Sequence, residues 1–217
     1  LLGNVLDIGT PSDGTVTNAK LAQDIISGET ALASEPADTD EFLVSDAGTL
    51  KRIDYSLIKG GITVADAWRL TTTYQGDAAT ITSNLERIDA PAGYGIIGSA
   101  MTESSGVFTF PSTGIYKISY FQSFYIGNTP SRFLRTAIEV TTDNSSYNQA
   151  AMGQSSVDYL QSSSSYGQCY AETLVDVTDT ANVKVRFSTN VSDDDVYTAG
   201  NTDRSDNQMT FIRLGDT

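Results

Sequence analysis

The sequence predicts an all-β protein: a C-terminal β-sandwich of the jelly-roll kind, preceded by a small extended segment with one short helix and one hairpin. Three observations carry this reading. Apolar and polar residues alternate with period 2 through most of the chain, and clusters of Gly, Asn, Asp and Ser separate the alternating runs. A helical period is confined to one stretch near the start.

That stretch is Thr17–Ser27 (TNAKLAQDIIS), where Leu21 and Ile25 lie four apart with Ile26 beside them. Thr17 is placed to cap it and Gly28 to stop it. Pro36 then breaks the chain. EFLVS (Glu41–Ser45), the turn Asp46-Ala47-Gly48 and TLKRID (Thr49–Asp54) read as a hairpin, with glycine at the left-handed position. Gly60-Gly61 closes the segment. Apolar side chains in residues 1–61 are too few and too dispersed to form a core in one copy, so this segment needs another surface to fold against.

Residues 62–217 read as one β domain. Ala67–Tyr74 is the first predicted strand and Ile81–Ile88 the second. In YKISYFQSF, Tyr116, Ile118, Tyr120 and Phe124 share a face opposite Lys117 and Ser119. In FLRTAIEV, Leu134, Thr136, Ile138 and Val140 face away from Arg135 and Glu139. Val183, Val185 and Phe187 alternate with Lys184 and Arg186, and Met209 and Phe211 with Ile212 and Leu214. Several short strands punctuated by turns form a sandwich or jelly roll.

Composition then narrows function. The chain has 217 residues, 13 Lys and Arg, 27 Asp and Glu, a net charge of −14, no His and one Cys. Absent histidine excludes Ser–His and Cys–His nucleophile pairs and imidazole metal sites. One cysteine excludes an intrachain disulfide and the multi-cysteine zinc patterns. The negative charge argues against a nucleic-acid partner. No run approaches the ~18 apolar residues of a membrane span, so membrane insertion is not expected. No basic, then apolar, signal sequence is visible at Leu1. With Leu1 in place of an initiator Met, the chain is expected to be a fragment, or the ordered part, of something longer. Ser and Thr supply nearly a quarter of the residues.

The segment SGVFTFPSTGIYKISYFQSF (Ser105–Phe124) resembles the signature of the C1q/TNF-like jelly-roll family, with Phe108, Phe110, Pro111, Gly114 and Tyr116 at the pattern positions. YGQCYAETLVDVTDTANVKVRFS (Tyr166–Ser188) is similar to the family's paired strands joined by an acidic turn, here at Asp179. QMTFIRL is similar to its final strand. Upstream, Asp13–Gly28 and Pro36–Asp54 resemble segments of bacteriophage tail-fibre shafts, where three chains wind together. The family's collagen-like stalk is absent.

These resemblances imply a homotrimer with aromatic residues at its threefold axis and ligand-binding loops at its exposed ends. They imply a phage fibre shaft or connector over 1–61 and a C1q-like head over 62–217. The expected role is a virion fibre, extracellular when mature, whose head binds a host cell-surface receptor, either a glycan or an outer-membrane protein. Its partners would be further copies of itself, other virion or tail proteins through the N-terminal side, and that receptor. No enzymatic activity is expected. A structural decoration or head fibre, a tail adaptor, and a stand-alone carbohydrate-binding module remain open as alternatives. A polysaccharide-degrading fibre is disfavoured by the absence of a clear acid pair.

Candidate sites are few. Thr141–Gln168 reads as a long polar loop punctuated by Tyr147, Tyr159 and Tyr166, with Asn144 and Asn148 beside them. Tyr supplies rigid contact area and Ser, Asn and Gly adaptable hydrogen bonds, which suits receptor contact, although an ordinary β-connection reads similarly. Asp193, Asp194 and Asp195, with Asp203 and Asp206 nearby, form the densest carboxylate run. It reads as a Ca²⁺ site, as in some C1q-like domains near their axis, or as a solvated acidic loop. No other cofactor is required. Cys169 reads as a buried structural thiol, and Trp68 and Arg69 as core edge and surface.

Overall fold

The alternating runs become antiparallel strands. The structure is a computed structural model and describes residues 26–58, 60–89, 95–160 and 163–217. The chain divides into two units, Leu1–Gly60 and Gly61–Thr217. Of the predicted helix, Thr17–Asp24 and Ile25 lie outside the described residues; Ile26, Ser27 and Gly28 form a turn.

In the first unit, β1 (Glu41–Asp46) and β2 (Thr49–Asp54) pair in register from Glu41↔Asp54 to Asp46↔Thr49. Their two-residue loop has positive φ at both positions, 48° at Ala47 and 86° at Gly48. That loop matches the right-handed twist of the strands, so Ala47 is held where a Cβ is seldom tolerated. Leu43, Leu50 and Leu57 stay 75%, 70% and 73% exposed. The hairpin thus forms from its turn and ladder, without a core of its own.

The second unit is a sandwich of two antiparallel sheets. Its strands are β3 (Ala65–Leu70), β4 (Thr72–Gln75), β5 (Leu85–Arg87), β6 (Thr102–Ser104), β7 (Val107–Thr109), β8 (Gly114–Ile126), β9 (Ser131–Thr141), β10 (Asn148–Val157), β11 (Ser165–Val177), β12 (Lys184–Val191), β13 (Val196–Asn201) and β14 (Asn207–Gly215). One sheet has five strands in the order β10-β9-β12-β7-β6. The other has seven, β4-β13-β8-β14-β3-β5, with β11 on the free edge of β8. Phe108 and Phe187 from the first sheet meet Trp68, Tyr120 and Phe211 from the second. Phe108 lies 5.4 Å from Trp68 and 5.2 Å from Phe211, and Tyr120 lies 5.1 Å from Phe187. A smaller apolar cluster joins Phe124, Leu134, Val157 and Cys169. The inward faces expected of β8, β9, β12 and β14 are the buried ones.

Three elements differ from expectation. The run Ala67–Tyr74 is two strands, because β3 pairs with β14 and β4 with β13. Asn207 covers the changeover: its side-chain oxygen accepts from Leu70 N–H at 2.6 Å and its amide donates to Leu70 and Ala199 carbonyls. Only Leu85–Arg87 of Ile81–Ile88 is strand. The third difference is the long loop Thr141–Gln168, half of which is β10 and the start of β11. Small residues mask the alternation in β10. They are needed there, since a Cβ on Gly153 would stand 2.2 Å from the Tyr170 carbonyl oxygen.

Arg69 is no surface residue. Its side chain is fully buried and paired with Glu86 at 2.7 Å and Asp89 at 2.9 Å. Beside it, buried Asp66 accepts from Trp68 Nε1 (3.2 Å), Met101 N–H (2.9 Å) and Arg87 Nε (3.0 Å). Asp66 therefore ties β3, β5 and the entry to β6 together. Asp66→Ala strands these donors and is expected to cost about 3 kcal/mol or more of stability. Denaturant unfolding checks this, and a loss under about 1 kcal/mol contradicts the role given to Asp66.

Candidate functional site

The sandwich has two outer faces of opposite character. On the seven-stranded sheet, the residues alternating with the core include a group of aromatics set among polar side chains such as Lys117, Ser119 and Glu172: Phe121 and Tyr125 on β8, Tyr166 and Tyr170 on β11, and Tyr197 on β13. Register places Tyr170 opposite Phe121 and Tyr166 opposite Tyr125. Tyr125 and Tyr197 stack at 4.8 Å with an interplanar angle of 3°. Tyr166, Tyr170 and Leu174 are 75%, 54% and 63% exposed. A solvated antiparallel face is ordinarily polar, and an aromatic one of this kind marks a contact surface.

The other outer face carries a polar groove of about 410 Å³. Ladder pairing of β9 with β12 sets Arg135 opposite Asn190, Ala137 opposite Ser188 and Glu139 opposite Arg186. β10 adds Gln149 and Met152 through its pairing with Glu139 and Ala137, and its Gln154 stands opposite Arg135 outside the lining. Ala137 is the reason for the hollow: the central outward position holds a methyl group where its neighbours hold long side chains. Glu139 accepts from Arg186 Nε at 2.7 Å and from the Ser188 hydroxyl at 3.0 Å. Arg135 Nε donates to Gln154 Oε1 at 2.7 Å. The guanidinium of Arg186 lies 4.2 Å from the Tyr147 ring centroid and that of Arg135 4.2 Å from Phe133. At the rim, Asp77 accepts from Val191 N–H (2.6 Å) and the Asn190 amide (2.9 Å).

The five residues expected to contact a receptor are not gathered in one patch. Tyr147 borders the groove through Arg186. Asn148 is exposed at the first position of β10. Asn144 is a turn residue with φ 55°, its N–H donating to the Asn182 carbonyl at 2.9 Å. Tyr159 packs against the smaller apolar cluster, and Tyr166 belongs to the aromatic face. The groove residues Arg135, Glu139 and Arg186 were visible in sequence only as outward-facing charges; nothing there paired their strands.

The aspartates also point apart. Asp193 accepts from Asp195 N–H at 2.9 Å, whereas Asp195 accepts from Asn128 N–H at 2.7 Å. Asp206 pairs with Arg204 at 2.8 Å. Among the described residues, no three Asp, Glu, Cys or His side chains are grouped to hold a metal ion. Cys169 is buried as expected, its thiol donating to the Leu134 carbonyl at 3.1 Å, and burial pushes its pKa up to about 11. It should therefore resist alkylation by iodoacetamide at neutral pH until the protein unfolds; rapid labelling of native protein would contradict this.

No model of a protein family matches the chain, and no curated protein matches it. Solved structures do. An Eiger TNF from S. frugiperda is similar over 72% of this chain and 96% of its own, at 10% identity and a TM-score of 0.52. Murine APRIL is similar over 70% of this chain and 98% of its own, at 7% identity and a TM-score of 0.48. The Eiger likeness is one of fold: the β architecture is a TNF-like jelly roll.

The turn before Tyr147 is built on Asp143. The Ser146 N–H, the Thr141 hydroxyl and the Ser145 N–H all donate to this carboxylate and hold its pKa well below the usual range. A lowered carboxylate pKa contributes order fully above the ordinary Asp value and loses it only as pH falls through the lowered one. The Ser145 and Ser146 amide NMR signals should hold through the ordinary range, about pH 4, and shift only well below it. Asp143→Ala should displace them at every pH.

Proposed function

We propose that this chain is part of a homotrimeric bacteriophage fibre whose jelly-roll head binds a molecule on the host cell surface. The observation that carries the reading is the contrast between the two outer faces. Half-buried Phe121 and Tyr125 beside exposed Tyr166 and Tyr170 give one face the makeup of an interface, while the opposite face keeps a polar groove. Closure of three copies around the aromatic face leaves the groove directed outward on each copy. Leu43 and Leu50 of the hairpin and Leu57 just after it, exposed in one copy, call for the same partnership.

Fibre character rests on the resemblance of Asp13–Gly28 and Pro36–Asp54 to shaft segments, and trimerisation also on the C1q/TNF-like resemblance. The head is proposed to recognise and not to transform its receptor. Three heads per fibre would raise weak single-site binding by as much as ~10²–10⁴ when geometry allows.

Sedimentation equilibrium should give a mass of three copies, and Tyr125→Glu should lower it to one. A monomeric wild-type protein contradicts the proposal. Labelled protein should adsorb to susceptible bacteria and block infection; binding confined to other virion proteins would instead mark a structural decoration.

A further inference from the structure

We propose that the groove over β9, β10 and β12 binds an acidic saccharide, with Arg135 and Arg186 receiving carboxylates and Gln149 and Asn190 taking hydroxyl groups. This rests on the receptor-binding reading above and narrows the receptor to a charged sugar.

The two arginines are half-used in the same way. Each commits Nε to a neighbour, Gln154 or Glu139, and lays its plane against an aromatic ring, Phe133 or Tyr147. Neither donates through its terminal nitrogens to any described residue. A guanidinium fixed by one edge and one face, with the other edge open, is set for bidentate contact with a carboxylate. Its freedom is already restricted, so binding costs little further order.

The acids nearby are committed to other partners. Glu139 has both oxygens engaged, on Arg186 and Ser188, and Asp77 has both engaged, on Val191 and Asn190. In a chain of net charge −14, a groove with two arginines against two satisfied acids is a local relief from negative potential.

Shape selects among anions. Arg135 and Arg186 are separated by four positions of the ladder, since Arg186 pairs with Glu139. Four strand residues span about 13 Å. One small anion does not bridge that distance, whereas a chain of sugar rings carrying repeated acids does. Between the ends lie the Ala137 floor, open to a ring, and amide side chains suited to hydroxyls. The volume of about 410 Å³ suits a short oligosaccharide.

The test uses the full chain and an array of uronate- and sialate-bearing oligosaccharides, each paired with its carboxyl-reduced form. Acidic members should bind and their reduced forms should bind at least tenfold more weakly. Arg135→Gln and Arg186→Gln should each weaken acidic binding at least tenfold. Ala137→Phe, which fills the floor and leaves both arginines in place, should abolish it. Unchanged mass and unfolding midpoint identify variants that remain folded. Absence of acidic binding, equal binding of reduced forms, or wild-type binding by the folded variants would overturn the proposal. If the protein adsorbs to bacteria and these variants adsorb equally, the groove inference fails and the receptor reading stands. If acidic sugars bind and no bacterial adsorption occurs, the reverse holds.

Discussion

Strict alternation along β8 is the constraint on which the second unit depends. Its thirteen residues are buried at every second position, from Gly114 to Ile126, so one set of side chains is committed to the core. β11 pairs along one whole edge, while β14 and β13 divide the other. A slip of one residue would send Tyr116, Ile118, Tyr120 and Phe124 outward together. The aromatic core that Tyr120 enters beside Phe187 would then lose its centre. Register along β8 is therefore held by the core as a whole, and it propagates through β11, β13 and β14 to the rest of the seven-stranded sheet.

That same alternation determines what the molecule can present. With the inward set fixed, Phe121 and Tyr125 must face out, and the register brings Tyr170 and Tyr166 opposite them. Bringing such a surface out of water is worth about 25 cal/mol per Å² of apolar area, a driving force that one copy leaves unused. On the other sheet, β9 and β12 project charge at matching positions and a methyl group between them. One periodic pattern thus yields a face with clustered aromatics and a polar, grooved face, separated by the thickness of the sandwich.

The sequence made the long strands legible because large apolar residues occupy most inward sites of β8, β12 and β14. β10 was hidden for the opposite reason. Its inward residues, such as Gly153 and Ser155, are small because the strand closes against the backbone of β11. Buried Arg69 was equally hidden, since alternation identifies a face and does not reveal a carboxylate waiting on the neighbouring strand. Glu86 lies 17 positions away from it, and Glu139 lies 47 positions from Arg186. The Ser105–Phe124 motif identified the fold from local residues, whereas both candidate faces depend on pairings between distant ones.

Net charge and site chemistry pull in opposite directions, and distance resolves the conflict. A chain at −14 repels an acidic ligand from afar, but that repulsion decays over a Debye length of about 8 Å at physiological salt. Within the groove the ligand meets two guanidiniums at contact distance, where screening is weak and hydrogen bonds are charge-assisted. Added salt then acts in opposite senses on the two steps. It eases approach by screening the distant acids and weakens the final contacts. A binding optimum at intermediate ionic strength follows for an acidic protein that recognises an acidic sugar, whereas a basic groove on a basic protein would lose affinity steadily.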